Sequence, residues 1–208
     1  GVPLVTPIML AVKEAGIPIY SEIELAYLYD KGDIIAITGT NGKTTTTSLV
    51  YEIMRSHDSD TLLVGNIEIP YTGLALTSKD GGATVAEISS FQLETMITFR
   101  PKVSAILNIT PDHLDRHKTM ENYIEIKKSI AKNQGEEDYC VLNYEDEVLR
   151  GFGKNIVPKT VYFSSVRKLD EGLYLDGDMI VLKTETEEIP VVKTTDLKIL
   201  GQHNHENV

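Results

Sequence analysis

Short apolar runs alternate with amphipathic segments along the first 150 residues of this sequence. The runs are rich in Ile, Val, Leu and Ala, and runs of this kind are typical of strands buried on both faces of a sheet. They lie at 33–38, 61–64, 84–88, 103–108 and 139–142. Segments with helical periodicity lie between them, near 44–56, 91–97 and 120–134. This repetition of strand and helix predicts an α/β fold with a parallel sheet covered by helices.

The two ends of the chain differ from this alternating region. Residues 1–21 predict a loop, a helix and a short strand, and residues 22–30 predict a short acidic helix. Beyond about residue 150, two apolar runs meet at Asp176-Gly177, which indicates a β-hairpin. We therefore expect a small antiparallel insertion near residues 160–192, after which the chain returns at 197–200 to a last strand and helix.

Length, charge and cysteine content narrow the class of protein. The 208 residues suffice for one domain, or for one domain with part of another, and the net charge of −11 argues against general nucleic-acid binding. Cys140 is the single cysteine and cannot form an internal disulfide, which favours a reducing, cytoplasmic location. Charged or polar residues interrupt every apolar run, so we expect no membrane span. Residues 136–190 hold 13 acidic and 6 basic side chains, which we interpret as solvated surface.

The segment Thr38–Thr45, with the sequence TGTNGKTT, carries the strongest chemical signal. A buried strand ends there and a helix begins at Thr44, so backbone N–H groups converge where phosphate oxygens bind well. Lys43 would reach the terminal phosphates, and the hydroxyl of Thr44 would bind Mg²⁺. Because Ile37 stands where the full P-loop consensus has its first glycine, the match is to a shortened loop. The alternative is a glycine turn with a solvated lysine, but the flanking strand and helix favour nucleotide binding.

Two further segments place polar side chains at the ends of buried strands. Glu87 lies at the end of the run at 84–88, and the segment Asn108–His117 follows the run at 103–108. Ligands of open α/β sheets bind at the carboxyl ends of the strands, so both segments can share a crevice with the phosphate loop. The second segment offers candidate ligands for a divalent metal in Asp112, His113, Asp115 and His117. Capping or salt bridging by Glu87, and structural roles for the Asp and His residues, are the alternatives.

A lysine interrupts the apolar face of the helix that follows Thr119. The stripe on this face consists of Met120, Tyr123, Ile124, Ile130 and Ala131. Lys127 falls in the middle of the stripe, whereas Lys128 lies about 100° further round the helix and should be solvated. A lysine that faces the core either snorkels to solvent or is neutralised or paired. Periodicity alone favours snorkelling.

Together these motifs resemble the Mur ligases, the ATP-dependent amide ligases of peptidoglycan precursor synthesis. The resemblance rests on residues 38–45, on 108–116 and on Gly201–Asn207 (GQHNHEN), and it covers nearly the whole chain. The run Glu87–Glu94 (EISSFQLE) is most similar to the members that add D-glutamate. The resemblance implies that ATP phosphorylates the carboxylate of UDP-N-acetylmuramoyl-L-alanine. The amine of D-glutamate would then attack the acyl phosphate.

The resemblance also implies which residues contact the nucleotide and the substrate. Nucleotide contacts would come from Gly39, Thr40, Asn41, Gly42, Lys43, Thr44, Thr45, His203, Asn204 and Asn207. Contacts with the muramoyl substrate would come from Asn66, Ser89 and His113. These positions lie on the three motif segments, on the run 87–94 and on the Gly65-Asn-Ile segment.

Two Mg²⁺ ions and a modified lysine complete what the resemblance implies. Thr44 and Glu87 would bind one ion, and His113 with a carbamylated Lys127 would bind the second. The catalytic residues would be Lys43, His113 and Lys127. Lys127 matches the family lysine because that lysine lies four residues after the tyrosine that Tyr123 matches.

Mur ligases have three domains, and this chain matches them unequally. Residues 1–30 would be a remnant of the N-terminal UDP-binding domain with its linker, and residues 31–208 would be the central ATP-binding domain. The C-terminal D-glutamate-binding domain would be absent, so we expect the fragment to be inactive. We expect the parent enzyme to be a monomer. The alternatives are a P-loop nucleotide-binding or ATPase module, and a related Mur or folylpolyglutamate ligase that adds another amino acid. The run at 87–94 argues against a different amino acid.

Overall fold

The computed structural model describes residues 2–197 and 207–208. Nine strands in these ranges form one sheet with the spatial order β2-β3-β1-β4-β5-β6-β7-β8-β9. The strands are β1 (Asp33–Thr38), β2 (Leu62–Gly65), β3 (Ala83–Glu87), β4 (Val103–Ile106), β5 (Tyr139–Asn143), β6 (Lys159–Ser164), β7 (Gly172–Asp176), β8 (Met179–Lys183) and β9 (Glu188–Lys193). Neighbouring strands from β2 to β7 are parallel, which confirms the predicted α/β fold.

Eight α-helices connect or flank the strands within the same ranges. They are α1 (Pro7–Glu14), α2 (Glu22–Tyr27), α3 (Lys43–His57), α4 (Tyr71–Leu74), α5 (Ser90–Leu93), α6 (Leu114–His117), α7 (Met120–Lys128) and α8 (Glu147–Gly153). Short 3₁₀ turns cover Ala75–Thr77, Ser129–Ala131 and Thr194–Asp196. None of the helices in the described part of the chain has the length and apolar character that a membrane span requires.

Alternate side chains of the central strands pack into two apolar clusters, one on each face of the sheet. Ile34 and Ala36 of β1 belong to the larger cluster. Ile37 of the same strand belongs to the second cluster, which α3 covers with Val50 and Met54. The neighbouring strand β3 is buried along its whole length. Burial on both faces explains why these strands are continuous apolar runs in the sequence.

The predicted antiparallel unit is present as two hairpins, and it extends the same sheet. Within the described residues, the antiparallel pairs are β7 with β8 and β8 with β9, whereas β6 pairs in parallel with β5. The antiparallel part therefore begins at Gly172, later than the predicted residue 160. The chain reverses after Asp176 as predicted, at Gly177 with a φ of +62°. The last strand and helix expected from residue 197 onward fall on residues outside the described ranges.

The segment before β1 contains helices α1 and α2. The short strand predicted within residues 1–21 is wrong, since residues 17–20 have no strand conformation. Pro18 lies in the middle of this apolar run and has no N–H group to donate to a neighbouring strand. Helix α2 packs against the rest of the fold through Ile23 and Ala26, which belong to the larger apolar cluster.

A buried carboxylate joins α2 to the loop before β4. Glu24 has no exposed surface. Its carboxylate accepts hydrogen bonds from the amides of Ile97 (2.9 Å), Thr98 (2.7 Å) and Phe99 (3.1 Å), and from the Thr98 hydroxyl (2.5 Å). Burial by itself would raise the pKa of Glu24, but these four donors outweigh it and lower the pKa below its usual value.

Glu24→Gln should destabilise the fold by about 2–3 kcal/mol, because an NH₂ group would then face amide donors. Since the folded-state pKa lies below the unfolded one, the stabilisation by Glu24 is present above the unfolded pKa. It is lost as the pH falls through the lowered pKa of the folded state. Urea unfolding at neutral pH measures the difference in free energy of unfolding between the wild type and Glu24→Gln.

Glu22→Gln is the matched control on the same helix. The carboxylate of Glu22 accepts from Thr72 N at 2.6 Å, and a glutamine oxygen can keep that bond. Equal stability of the two variants would contradict the role of Glu24.

Candidate active site

The phosphate loop, residues 39–42, joins β1 to the N-terminus of α3. Gly42 has a φ of +81°, and a Cβ atom there would lie 2.3 Å from Asn207 Oδ1, so this position requires glycine. The first hydrogen bond of α3 runs from Thr46 N to Gly42 O (3.0 Å). The N–H groups of residues 43–45 therefore have no acceptor within the helix. Together with the helix dipole, they form an anion-binding site.

Lys43 adds a positive charge to this loop. Its Nζ atom donates hydrogen bonds to Gly39 O (3.0 Å) and to Thr40 O (2.8 Å). The side chain is half-buried and folds back over the loop. Since both acceptors are neutral carbonyl groups, the ammonium charge is available to an anionic ligand at the same place.

Glu87 ends β3, the strand next to β1, and only 1% of the residue is exposed. Its Oε2 atom accepts from Thr44 Oγ1 (2.8 Å) and its Oε1 atom accepts from Asn66 Nδ2 (2.8 Å). Thr44 lies in the first turn of α3, and Asn66 directly follows β2. The carboxylate therefore joins the helix of the phosphate loop to the neighbouring strand end, and hydrogen bonds to both sides stabilise it in its buried position.

His113 lies on the loop after β4 and is the N-cap residue of α6. Its φ of +50° is left-handed, a conformation that non-glycine residues adopt rarely and that is found preferentially at functional sites. The imidazole ring lies 5.0 Å from the ring of Phe91, and its Nε2 atom lies 3.4 Å from Asp112 Oδ2. Half of the side chain is exposed, so the ring is accessible to a ligand.

Lys127 points into the protein at the base of the phosphate loop. Its Nζ atom donates to Gly39 O (2.8 Å) and to Thr38 Oγ1 (3.2 Å), and 1% of the residue is exposed. The sequence pattern favoured snorkelling, and that interpretation is wrong because these acceptors lie inside the fold. Burial, and secondarily the charge of Lys43, lower the pKa of Lys127 to about 7.

Three of these side chains lie in the wall of one cavity of about 110 Å³ at the carboxyl edge of the sheet. Its wall includes Lys43, Asn66, Ser89, Asp112, His113, Tyr123 and Lys127. Glu87 joins the group through its hydrogen bond to Asn66. The strands β3, β1 and β4 are neighbours in the sheet, so the segments that follow them meet at one edge. The shared crevice predicted from the sequence is confirmed.

A larger cleft of about 680 Å³ borders the same edge. It lies between the N-terminal segment and the loops after β2 and β3, and its wall includes Tyr20, Asn66, Ser89, Gln92 and Arg116. Ser89 and Gln92 form a capping box at the start of α5, in which Gln92 Oε1 accepts from Ser89 N (2.9 Å) and Ser89 Oγ (2.8 Å). This pair fixes the Ser89 side chain at the mouth of the cleft.

The two histidines of the segment after β4 have different surroundings. His117 is buried, with Nε2 3.0 Å from Ser90 Oγ and its ring 5.2 Å from the ring of Tyr123. Burial lowers the pKa of His117, although the Glu94 carboxylate opposes this shift. Of the two, His113 is therefore the one that lines the cavity. Asp115, the remaining candidate ligand of this segment, is exposed in the first turn of α6.

Of the other predicted nucleotide contacts, some lie within the described residues and some lie outside them. Thr45 lies in the first turn of α3 beside the phosphate loop, and Asn207 Oδ1 lies 3.4 Å from Thr46 Oγ1 in the same helix. His203 and Asn204 lie outside the described residues. The roles of these residues in nucleotide binding stay predictions.

The oxygen donors of this site fit Mg²⁺ in combination with phosphate. The described residues contain no group of three or more His, Cys, Asp or Glu side chains arranged to bind a metal ion. Mg²⁺ commonly binds one or two protein oxygens and takes its other ligands from water and substrate phosphates. Thr44 Oγ1 and Glu87 Oε2 offer such a partial set. An unmodified Lys127 offers no such oxygen, whereas a carbamate on it would.

The sequence patterns did not predict two residues that contact the phosphate loop. The Asn108 side chain binds the phosphate loop at Thr40 and Asn41, and Tyr123 Oη lies 3.2 Å from Thr40 Oγ1. A signal for Asn108 was present, since it is a polar residue at the end of the apolar run 103–108, as Glu87 is near the end of the run 84–88. Tyr123 belongs to an apolar stripe, and nothing in that pattern points to a role for its hydroxyl.

The family comparison agrees with this architecture. The family described as "Mur ligase middle domain" matches residues 37–208, which is most of the chain. The chain therefore belongs to the Mur ligase family through its middle domain.

Individual relatives extend the comparison. The chain is 54% identical to the UDP-N-acetylmuramoylalanine–D-glutamate ligase of Lachnospira eligens and 48% identical to the protein of that name from Clostridioides difficile. Both matches cover all of this chain but 46% of the relative. The chain thus spans about half the length of the curated relatives it matches.

Solved structures of other Mur ligases share the fold at low sequence identity. The UDP-N-acetylmuramate:L-alanyl-gamma-D-glutamyl-meso-diaminopimelate ligase from Neisseria meningitides has a TM-score of 0.67 at 16% identity and covers 99% of this chain and 69% of that one. MurF ligase from Thermotoga maritima, in complex with ADP, has a TM-score of 0.63 at 20% identity, with coverages of 89% and 46%. At these identities the likeness concerns the fold alone.

Proposed function

We propose that this chain is the ATP-binding central domain of an amide ligase that joins D-glutamate to UDP-N-acetylmuramoyl-L-alanine. The observation that carries the proposal is the convergence of Lys43, Glu87, His113 and Lys127 at one edge of the sheet. The relatives at 54% and 48% identity are D-glutamate ligases by name, which supports D-glutamate as the amine.

The reaction has two steps that need positive charge at this edge. In the first, the alanyl carboxylate attacks the γ-phosphorus of ATP, a new P–O bond forms, and the bond to the β-phosphate breaks to release ADP. In the second, the D-glutamate amine attacks the acyl carbon and loses a proton, and inorganic phosphate leaves through a tetrahedral intermediate. Because a carboxylate and a triphosphate are both anions, positive charge must offset their repulsion.

The phosphate loop would hold the β- and γ-phosphates of ATP. The N–H groups of residues 43–45 would donate to the phosphate oxygens, and the Lys43 ammonium would turn from the carbonyls of Gly39 and Thr40 toward the γ-phosphate. This contact would strengthen as negative charge develops during transfer.

Two Mg²⁺ ions would have protein ligands at this edge. Thr44 and Glu87 would hold one, and His113 with a carbamate on Lys127 would hold the other. When bound, the ions supply the charge that offsets the repulsion between carboxylate and phosphate.

The position of Lys127 supports carbamylation. The ammonium first loses one proton; the neutral Nζ then attacks CO₂, an N–C bond forms as one C–O π bond opens, and the nitrogen loses a second proton. Overall the lysine cation becomes a carbamate anion and two protons are released. An ordinary lysine is neutral in about one molecule in a thousand at pH 7.4. With a pKa of about 7, Lys127 would be neutral in a large share of molecules. The nearby Lys43 ammonium would then stabilise the carbamate anion.

The larger cleft would hold the muramoyl substrate next to the nucleotide. Asn66 and Ser89 border both the cleft and the small cavity, so a substrate in the cleft could place its carboxylate beside His113. In the whole enzyme, residues 1–30 would connect to the N-terminal UDP-binding domain, and a C-terminal domain would bring D-glutamate. We propose a cytoplasmic, monomeric enzyme.

A single-turnover assay of the full-length ligase with radiolabelled ATP and several amino acids tests this function. We expect ADP release to require UDP-N-acetylmuramoyl-L-alanine, and product to form with D-glutamate. Incorporation of lysine or diaminopimelate in its place would show a related ligase with another amine. Steady phosphate release without any carboxylate acceptor would show an ATPase module, and either result would overturn the proposal.

A further inference from the structure

The loop after β4 binds the phosphate loop through one asparagine. Thr40 N donates to Asn108 O (3.0 Å) and to Asn108 Oδ1 (3.1 Å), and Asn41 N donates to the same Oδ1 atom at 2.9 Å. Asn108 Nδ2 in turn donates to Asn41 O (3.2 Å). A single side chain therefore fixes two consecutive residues of the phosphate loop, acting both as acceptor and as donor.

The residues on both sides of Asn108 are held by the last residue of β5 and by the N-cap residue of α8. Asn143 Nδ2 donates to Leu107 O (3.2 Å), and Ile109 N donates to Asp146 Oδ2 (2.9 Å). Asp146 also caps α8, so this anchor belongs to a regular element of the fold. Asn108 thus acts from a fixed position, and a movement of the phosphate loop away from it would break several hydrogen bonds.

The amides that Asn108 binds differ from those that the start of α3 offers to a phosphate. Asn108 binds the N–H groups of Thr40 and Asn41, whereas residues 43–45 have N–H groups without a helical acceptor. The bonds to Thr40 and Asn41 fix the backbone conformation of the loop. Residues 43–45 follow almost directly in the chain, so the direction of their N–H groups depends on that conformation. Since Ile37 stands where the P-loop consensus has a glycine, the loop is short and is supported by the neighbouring strand end.

We propose that Asn108 is a positioning residue for the nucleotide. It holds Thr40 and Asn41 in the phosphate-binding conformation before ATP arrives, so that binding does not have to order the loop. This inference rests on the proposed nucleotide-binding function, and it adds a residue that touches neither phosphate nor metal in that scheme. The hydroxyl of Thr40, which accepts from Thr110 N (3.0 Å), supports the same arrangement.

Calorimetric titration of the full-length ligase with a non-hydrolysable ATP analogue and Mg²⁺ tests the effect on affinity. We expect Asn108→Ala to raise the Kd for the analogue about tenfold, the size expected for one or two lost hydrogen bonds. The Kd for UDP-N-acetylmuramoyl-L-alanine should stay unchanged. Asn133→Ala is the matched control, since it removes amide-to-carbonyl bonds from Asn133 Nδ2 to Ile97 O and to Phe99 O (both 2.9 Å), which lie before β4 and away from residues 39–42. It should change the Kd for the analogue less than twofold.

Amide hydrogen exchange without nucleotide tests the preformed loop directly. The amide of Asn41 should exchange faster in Asn108→Ala, whereas Thr40 N keeps its bond to the backbone carbonyl of residue 108. Asn108→Asp should restore the protection of Asn41, because its carboxylate can still accept from that amide. Unchanged exchange in Asn108→Ala, or equal losses of affinity in Asn108→Ala and Asn133→Ala, would overturn the inference. If the wild-type ligase fails to bind the analogue, the proposed function fails, whereas the exchange result still decides the role of Asn108.

Discussion

Lys127→Ala is expected to lower the kcat of the full-length ligase by about 100- to 1000-fold, the size seen when one group that stabilises a charged transition state is removed. The reason is the position of its Nζ, which is buried against Gly39 O and Thr38 Oγ1 at the wall of the cavity. If this amine carries a carbamate, the substitution removes an anion that would bind Mg²⁺ beside the reacting carboxylate. Steady-state release of phosphate with all three substrates present measures the loss.

Chemical rescue separates this role from a structural one. A short carboxylic acid added to Lys127→Ala can enter the space left by the side chain and replace the carbamate oxygens, so activity should partly return. Lys128→Ala is the matched control, because Lys128 lies on the same helix and its Nζ contacts Glu125 at 3.0 Å and the ring of Phe152, away from the cavity. Its side chain is 21% exposed, so it is less solvated than the sequence predicted. It should keep activity within about twofold, because Lys128 is not among the residues of the cavity wall. Wild-type activity of Lys127→Ala would refute the proposed role.

Lys43→Ala is expected to weaken binding of a non-hydrolysable ATP analogue by about 100-fold, since charge-assisted bonds to phosphate are about twice as strong as neutral ones. In the structure the ammonium bonds to Gly39 O and Thr40 O, and no acidic side chain is among these acceptors. The substitution should therefore reduce nucleotide affinity with little loss of stability. Calorimetry in the presence of Mg²⁺ measures the Kd, and thermal unfolding without ligand tests the stability.

The same Lys128→Ala variant serves as the control for general electrostatic attraction, because it removes one positive charge away from the phosphate loop. If Lys43→Ala and Lys128→Ala weaken the analogue equally, general electrostatic attraction explains the binding, and the assignment of Lys43 to the terminal phosphates is wrong. A large loss of thermal stability in Lys43→Ala alone would point to a role in holding the loop together.

The parallel part of the fold was predictable because burial on both faces leaves continuous apolar runs in the sequence. The position of Lys127 was predictable for a related reason: helical periodicity fixes which side chains share a face. Periodicity does not say where the end of a long side chain lies. It therefore favoured snorkelling, although the Nζ atom finds Gly39 O and Thr38 Oγ1 inside the fold.

The contacts that complete the site depend on pairs far apart in the sequence. Asn108 and Asn41 are separated by 67 positions, and they meet because β4 lies next to β1. Strand order of this kind is not encoded in the local pattern of either segment. The parallel pairing of β6 was missed for the same reason, since a half-buried strand has the same pattern beside a parallel or an antiparallel neighbour.

The choice between the two histidines after β4 also required the structure. His113 and His117 lie four residues apart, so helical spacing alone would place them on one face. The left-handed backbone at His113 puts it before the first turn of α6 and beside the cavity, whereas His117 packs inward against Ser90. A positive φ at a non-glycine residue such as His113 is imposed by tertiary contacts, and sequence patterns do not reveal it.

A crystal structure of the full-length ligase with Mg²⁺ and a non-hydrolysable ATP analogue tests the convergence most directly. We expect the γ-phosphate at the start of α3, a Mg²⁺ ion bound by Thr44 and Glu87, and extra density on the Nζ of Lys127 facing a second ion near His113. A triphosphate bound away from residues 39–45, or a bare Lys127 amine still bonded to Gly39 O in the active complex, would contradict it.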